Sequence, residues 1–356
     1  MASQKKLRLR VIYDPVEKQK GTPDVDLVLI HGFGGDLNDT WTYKENNSNV
    51  FWPCDLLSQK RPRTRILSFG YGVGENVVGT IRDYARTLME YLHCQRDDAG
   101  CRPIVFLGHC LGGLIAKQAV RFAAKESRYK SIAEATKAMM FFGTPHDGGD
   151  RKGWLKLAEK YKAMGSRCRM IDVLAKNTDD LLEIDEDFCQ LRVRYRTVAF
   201  YEIRPLPEAK EVIVCKTSAT GPMIADGFEA LTVDADHIHM CQFENADDGT
   251  FKKVLQVIKD ATGEEQVIEG GLVRGTYTRE MHFKETFVLE AGARTGGDTE
   301  PAAGRVMTIE PQYLEARLAA APPNPQRKAL EPPRHWSAWR PWNTSSSSSI
   351  KKYERA

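Results

Sequence analysis

Apolar residues fall along this chain in short unbroken runs separated by polar, glycine-rich joints: Leu27 to Ile30, Ile66 to Phe69, Ile104 to Leu107, Met139 to Phe142, Val198 to Tyr201 and Val212 to Val214. Runs of that length, apolar at every position, predict strands buried on both faces of a sheet. Elsewhere the spacing changes. Ile81, Tyr84, Ala85, Leu88, Met89 and Leu92 recur every three or four residues and predict the buried face of a helix. Phe251, Val254, Leu255 and Ile258 repeat that period and predict the last helix of the same domain, which ends near Thr262. Alternating strand and helix signals predict an α/β class, a mostly parallel sheet with helices on both faces. The opening MASQKKLRLRVIYDP interleaves basic and apolar residues, so it predicts a strand; a signal peptide would need an uninterrupted apolar core.

Two stretches break the alternation. Residues 151–194 lie between strands, carry the charged run TDDLLEIDEDF, and are longer than a simple crossover needs, which predicts a small helical lid or side wall. From residue 263 the composition shifts to GARTGGDTEPAAG, AAAPPNPQRKALEPP and TSSSSS, which bury too little apolar surface to offset chain entropy. The expected organisation is a domain over 1–262 and a poorly ordered, non-catalytic extension over 263–356. Within it TYTREMHFKETFVLE is compatible with one or two strands, and His335, Trp336, Trp339 and Trp342 are expected to have no specific role.

Bulk properties narrow the partners. A net charge of +3 gives no global field that favours nucleic acid or an anionic membrane. No apolar run is long enough to span a bilayer. Eight cysteines without compact spacing predict free thiols in a reducing, cytoplasmic compartment, Cys94 and Cys101 included. No CxxC or clustered Cys/His spacing predicts a metal, and no cofactor is implied.

The chemistry concentrates in PIVFLGHCLGGLIAKQAV, a buried strand, a tight turn and an amphipathic helix in direct succession. That is the context in which a GxSxG-type elbow is meaningful, with Gly108 and Gly112 clearing space around Cys110. The predicted position of Cys110 is a helix amino terminus, pointing into solvent above the sheet edge. Partial positive charge there, with an imidazole to take the proton, makes a thiol a competent nucleophile. After the first buried strand, HGFGG offers backbone amides, so Phe33 and Leu111 are the predicted oxyanion-hole donors. His31 is expected to orient that loop; His109, beside the nucleophile, and His146, in FFGTPHDGG, are expected to shape the pocket. The order nucleophile, acid, histidine directs the search for a base to VDADHIHMCQF, where spacing leaves His237 and His239 equivalent. For the acid, Glu202 ends the strand TVAFYE at the carboxyl edge of the sheet, with Asp234, Asp236 and Asp147 as competitors.

Taken in order, VDLVLIHGFGG, TW, WPCDLL, RILSFGYG, PIVFLGHCLGGLIAKQA, FFGTPH, VAFYE and DADHIHMC resemble the lipase-like serine esterases of the α/β-hydrolase superfamily. The version they most resemble is the amino-terminal hydrolase domain of fungal NACHT and NB-ARC (NLR-like) proteins. The likeness runs from about residue 8 to 262 and implies the α/β-hydrolase fold. It places the family's DH pair on Asp236-His237, which favours His237 over His239, and its strand-end glutamate on Glu202. The sequence departs at the nucleophile, where relatives resemble GHSLGG, and no GxxxxGKS or GxxxxGKT run follows. Dienelactone hydrolases are similar in using a cysteine elbow. The expected activity is hydrolysis or acyl transfer on an ester, thioester or lactone by Cys110, His237 and Glu202, on a small acyl substrate of lipid or polyketide type, in fungal natural-product metabolism. The competing expectation is an inactive hydrolase-like interaction module in signalling or self-recognition.

Overall fold

The computed structural model describes residues 7–263 except 46, 73–78, 98, 162–167, 176–177, 192–193, 208 and 222–228. The chain separates into two units, Met1–Tyr277 and Thr278–Ala356, and the described residues all belong to the first. The C-terminal extension, with its possible strands and its tryptophans, lies outside the described residues apart from Gly263.

Among the described residues the main sheet has strands β1 (Arg8–Tyr13), β2 (Val25–Ile30), β3 (Thr64–Gly70), β4 (Ile104–His109), β5 (Thr136–Phe142), β6 (Arg196–Glu202) and β7 (Glu229–Val233). Their order is β1-β3-β2-β4-β5-β6-β7, with β1 antiparallel and the rest parallel. β2, β3 and β4 are buried at every position because helices cover both faces. Helices α1 (Ile81–Cys94) and α2 (Leu111–Lys125) pack in one apolar cluster; α5 (Gly249–Thr262) packs in the other with Trp41, Trp52 and Phe243. The apolar face of α1 is the one its spacing predicts, and a Thr80–Asp83 capping box begins the helix.

The run Val212 to Val214 is not a strand. It lies in a loop that enters a short helix, Lys216–Thr220, and the Val214 N–H donates to Glu202 Oε1 at 2.8 Å instead of to a ladder. The last strand among the described residues is β7, EALTV, whose burial alternates as expected of a sheet-edge strand with one solvated face. Buried loop residues Ile213 and Val214 gave the same apolar signal as a strand.

Residues 151–194 contain α3 (Arg151–Lys160), a short helix at Arg169–Val173, and α4 (Asp179–Cys189). The acidic run is an interface. On α2, Lys117, Arg121 and Lys125 recur every four residues. Lys117 pairs with Asp185, Arg121 with Glu183 and Asp187, and Lys125 with Asp187 at 3.3 Å. The Lys117 ammonium is fully buried and lies 5.1 Å from the Phe188 ring centroid. Among the described residues no helix is long and apolar enough to cross a membrane.

Breaking the Lys117–Asp185 pair from one side should cost far more than removing it whole. Asp185→Asn strands a buried ammonium and is expected to cost about 3–5 kcal/mol, whereas Lys117→Met with Asp185→Leu should cost much less. Urea unfolding of both variants checks this; equal losses would show that the pair's charge is irrelevant to its burial.

Candidate active site

At the elbow a single residue, Cys110, joins β4 to α2. Cys110 has φ 52° and ψ −122°, a positive φ that non-glycine residues avoid. Its backbone is fixed on both sides: the Cys110 N–H donates to the Phe142 carbonyl at 2.8 Å and its carbonyl accepts from the Gly113 N–H at 3.0 Å. A Cβ on Gly112 would lie 2.1 Å from the Ile30 carbonyl oxygen, so only glycine lets α2 approach the end of β2 this closely.

That approach brings the HGFGG loop against the elbow. His31 stacks on Tyr71 with ring centroids 4.3 Å apart, and its bonds define a tautomer: Nδ1–H donates to the Gly32 carbonyl at 2.9 Å while Nε2 accepts from the Tyr71 N–H at 3.3 Å. The Tyr71 hydroxyl donates back to the His31 carbonyl at 2.7 Å. His31 therefore fixes the loop, and Gly35 N–H closes it on the Gly32 carbonyl at 3.1 Å. Phe33 and Leu111 are both buried, and among the described residues neither backbone amide has a hydrogen-bond partner. Leu111 is the first residue of α2, where the amides have no intrahelical acceptor.

His237 and Glu202 form a buried pair. His237 Nδ1–H donates to Glu202 Oε1 at 3.0 Å, and both side chains are essentially inaccessible. The same carboxylate oxygen accepts from the Val214 N–H. Gly143 makes room for them at φ 51°: a Cβ there would lie 3.0 Å from both Glu202 Oε2 and His237 Nδ1. Burial pulls the His237 pKa down, but the Glu202 charge and the neighbouring Cys110 sulfur outweigh it, and the pKa is pushed up to about 10. Cys110 thus acts on the ring electrostatically, although Nε2 has no aligned hydrogen bond among the described residues.

The other predicted residues separate cleanly. His239 turns outward and pairs with Asp236 at 2.8 Å; Asp234 is bound to Arg204 at the surface. His109 Nε2–H donates to the His237 carbonyl at 2.7 Å, and burial, then the His237 charge, lowers the His109 pKa to about 3. It is a neutral support for His237. His146 lies apart, edge-on to Phe141 and against Gly221, and burial followed by the Lys117 charge holds it well below the usual imidazole range. The Asp147 N–H donates to the Ser218 hydroxyl at 3.3 Å.

Cys110 does not point into solvent; it is fully buried. Trp154 of α3 and Tyr161, the residue after it, pack over the groups around it. Trp154 lies edge-on to His237 (5.9 Å between centroids) and to Phe33 (6.4 Å), and Tyr161 covers Gly34 so closely that a Cβ there would lie 2.3 Å from its ring. A cavity of about 100 Å³ lies nearby between α1 and the helices of the insertion, with Tyr84, Cys168, Met170 and Ile184 in its wall; Tyr84 packs on Tyr71. Gly143, Val214, Trp154 and Tyr161 were not singled out from the sequence. Only Gly143 left a signal, a glycine directly after a buried strand. No group of three or more His, Cys, Asp or Glu side chains among the described residues is arranged to hold a metal ion.

The raised His237 value has a definite pH signature. Its ring should stay protonated through neutral pH and titrate near 10, and Glu202→Gln, which removes the first of the raising charges, should lower that value. Because the native value lies above the ordinary one, the contribution to stability is full below about 6.5 and is lost as pH rises through about 10. NMR titration of the imidazole checks this, and a ring found neutral at pH 7 in the unmodified protein would contradict it.

Residues 27–249 match the Alpha/beta hydrolase family. The chain is 26% identical over 266 residues to Protein SERAC1 of Danio rerio, covering 67% of this chain and 39% of that protein. It is 22% identical over 263 residues to Protein SERAC1 of Homo sapiens, covering 66% and 39%. The chain thus spans about two fifths of the length of the curated relatives it matches. A thermophilic esterase from Thermogutta terrifontis aligns with a TM-score of 0.42 at 12% identity, covering 72% of this chain and 94% of that one. With the family match spanning more than half of the sequence and the parallel sheet and elbow in place, the chain belongs to the α/β-hydrolase family.

Proposed function

We propose that this protein is a cysteine-nucleophile hydrolase or acyltransferase acting on an ester, thioester or lactone. The observation that carries the reading is the buried Glu202–His237 pair beside Cys110. In it, His237 Nε2 takes the thiol proton as the sulfur attacks, and its raised pKa makes it a strong acceptor. The sulfur attacks the carbonyl carbon, and the amides of Phe33 and Leu111 hold the oxyanion. Collapse breaks the bond to the leaving group, which takes the proton from His237. Water or an acceptor nucleophile then gives its proton to His237, attacks the acyl-cysteine and restores the thiol. Glu202 holds the imidazole in its Nδ1–H tautomer and stabilises its charge. The substrate is a small acyl compound of lipid or polyketide type, in a cytoplasmic setting. Kinship with fungal NACHT and NB-ARC hydrolase domains and a place in fungal natural-product metabolism belong to this proposal and rest on the motif resemblance alone. Further parts of it are a hydrolase domain over 1–262 and a non-catalytic extension over 263–356.

A second reading, a hydrolase-like interaction module, is favoured by one observation: Cys110 has no exposed surface. Labelling separates the two. In the catalytic reading a small thiol-reactive acyl probe modifies Cys110 ahead of the exposed Cys94, Cys101 and Cys215. Cys110→Ala then removes turnover of an activated thioester by roughly 10³-fold or more, and Cys110→Ser retains less activity than cysteine. His237→Ala should slow labelling ~100-fold or more, with little change from His239→Ala. A Cys110 that reacts no faster than the bulk thiols, with no substrate acylating it, leaves the interaction module.

A further inference from the structure

At the opposite end of the sheet from the elbow, the second residue of β2, Asp26, is fully buried and surrounded by arginines. Arg102 Nε donates to Asp26 Oδ1 at 3.0 Å, Arg96 donates to Oδ2, and Arg65 Nε is 3.7 Å from Oδ1, beyond hydrogen-bond length. The arginine side chains are 8% (Arg65), 5% (Arg96) and 11% (Arg102) exposed. One carboxylate cannot balance three guanidinium groups. Asp24, two residues earlier, is paired with Arg61 at 3.3 Å and does not offset the rest. Among the described residues these three arginines pair with no other carboxylate, so the cluster holds an excess of two positive charges in a place where charge is costly unless paired. Mutual repulsion is visible at Arg96: burial lowers its pKa, Asp26 raises it, and Arg102 and Arg65 both lower it again.

The donors are also incompletely used. Arg65 donates to the Gln95 carbonyl at 2.6 Å and Arg96 to the Arg102 carbonyl at 2.7 Å. Among the described residues two buried nitrogens, Arg65 Nε and Arg102 NH2, have no hydrogen-bond partner. Guanidinium nitrogens donate and never accept, so only an acceptor can satisfy them.

We propose that Arg65, Arg96 and Arg102 form an oxyanion-binding site at the amino end of the sheet, distinct from the hydrolase centre, with Asp26 as its internal brace. The ligand class is a dianionic phosphate or sulfate group, because two negative charges match the excess and tetrahedral oxygens suit the unused guanidinium donors. Free inorganic phosphate and the phosphate of a monoester share that chemistry.

The test uses the full chain in chloride buffer at fixed ionic strength, with thermal melting and calorimetric titration by sulfate, inorganic phosphate and O-phosphoserine. The expected result is saturable binding and a raised melting temperature with the dianions, and no comparable effect from added chloride. Binding of the inorganic ions alone identifies a free ion as the ligand; binding of O-phosphoserine as well identifies a phosphate borne on a larger molecule, and either upholds the site. Arg102→Gln should weaken binding at least tenfold. Arg65→Lys, which keeps the charge but loses Nε, should weaken it as well. Asp26→Asn should tighten binding relative to the unmodified chain, a change of sign that a merely structural cluster would not show. Stabilisation reproduced by chloride, or dianion affinity unchanged in Arg102→Gln and Arg65→Lys, overturns the proposal.

Discussion

The candidate site depends on one steric constraint, the approach of α2 to the ends of β2 and β4. At Gly112 the helix backbone comes so near the Ile30 carbonyl that no side chain fits between them. The same approach sets Gly108 against Gly113, where a Cβ on the first would stand 2.6 Å from the second's Cα. Any larger residue would push the helix outward. The Leu111 amide would then separate from the HGFGG loop, and the hydrogen bond holding Cys110 to Phe142 would lose the geometry that forces φ positive. Strain at the nucleophile is thus maintained by packing on three sides, not by the turn itself.

Within that frame, charge is distributed by partner rather than by depth. His109 and His237 are both buried, with ring centroids 5.1 Å apart, yet one is depressed to about 3 and the other raised to about 10. Desolvation acts downward on both. The difference lies in Glu202 and, after it, the Cys110 sulfur, which both raise His237, while His109 meets a carbonyl and the charge of its neighbour. A protonated His237 itself helps to keep His109 neutral, so the second imidazole can serve as a donor to the first one's backbone without competing for the proton.

What was legible in the sequence followed from periodicity and from the elbow. Six-residue runs such as VDLVLI and IVFLGH are strands because helices cover both faces, and the α1 spacing named each of its buried residues. Choosing His237 over His239 required more than spacing. The structure separates them by a tight turn, Met240 N–H to the Asp236 carbonyl, which carries one ring inward and leaves the other to Asp236. Three features were not legible. Val212 to Val214 imitates a strand because a buried loop needs apolar side chains as much as a sheet does. The acidic run of α4 reads as a solvated face until its partners on α2, more than sixty residues earlier in sequence, are brought alongside. Burial of Cys110 depends on what packs around the elbow in three dimensions, and local sequence there carries no trace of it.

That insertion bears on how the buried pair keeps its geometry. The polar anchors of α3 run within the insertion and to the loop before it: Asp150 caps the helix through the Gly153 N–H, Trp154 donates to the Leu174 carbonyl at 2.7 Å, and Arg151 pairs with Asp172. Toward the centre Trp154 of α3 lies against His237, and Tyr161, the residue after the helix, covers Gly34. The bonds that orient His237, by contrast, come from β6, the Val214 amide and His109, none of them part of α3. Orientation and desolvation are therefore supplied by different parts of the chain. A movement of α3 would admit water and weaken both the burial penalty and the Glu202 attraction on the imidazole, since each scales with the local dielectric. It would break none of the hydrogen bonds that aim the ring at Cys110. The alignment of the site is a property of the sheet, and its unusual protonation is a property of the cover.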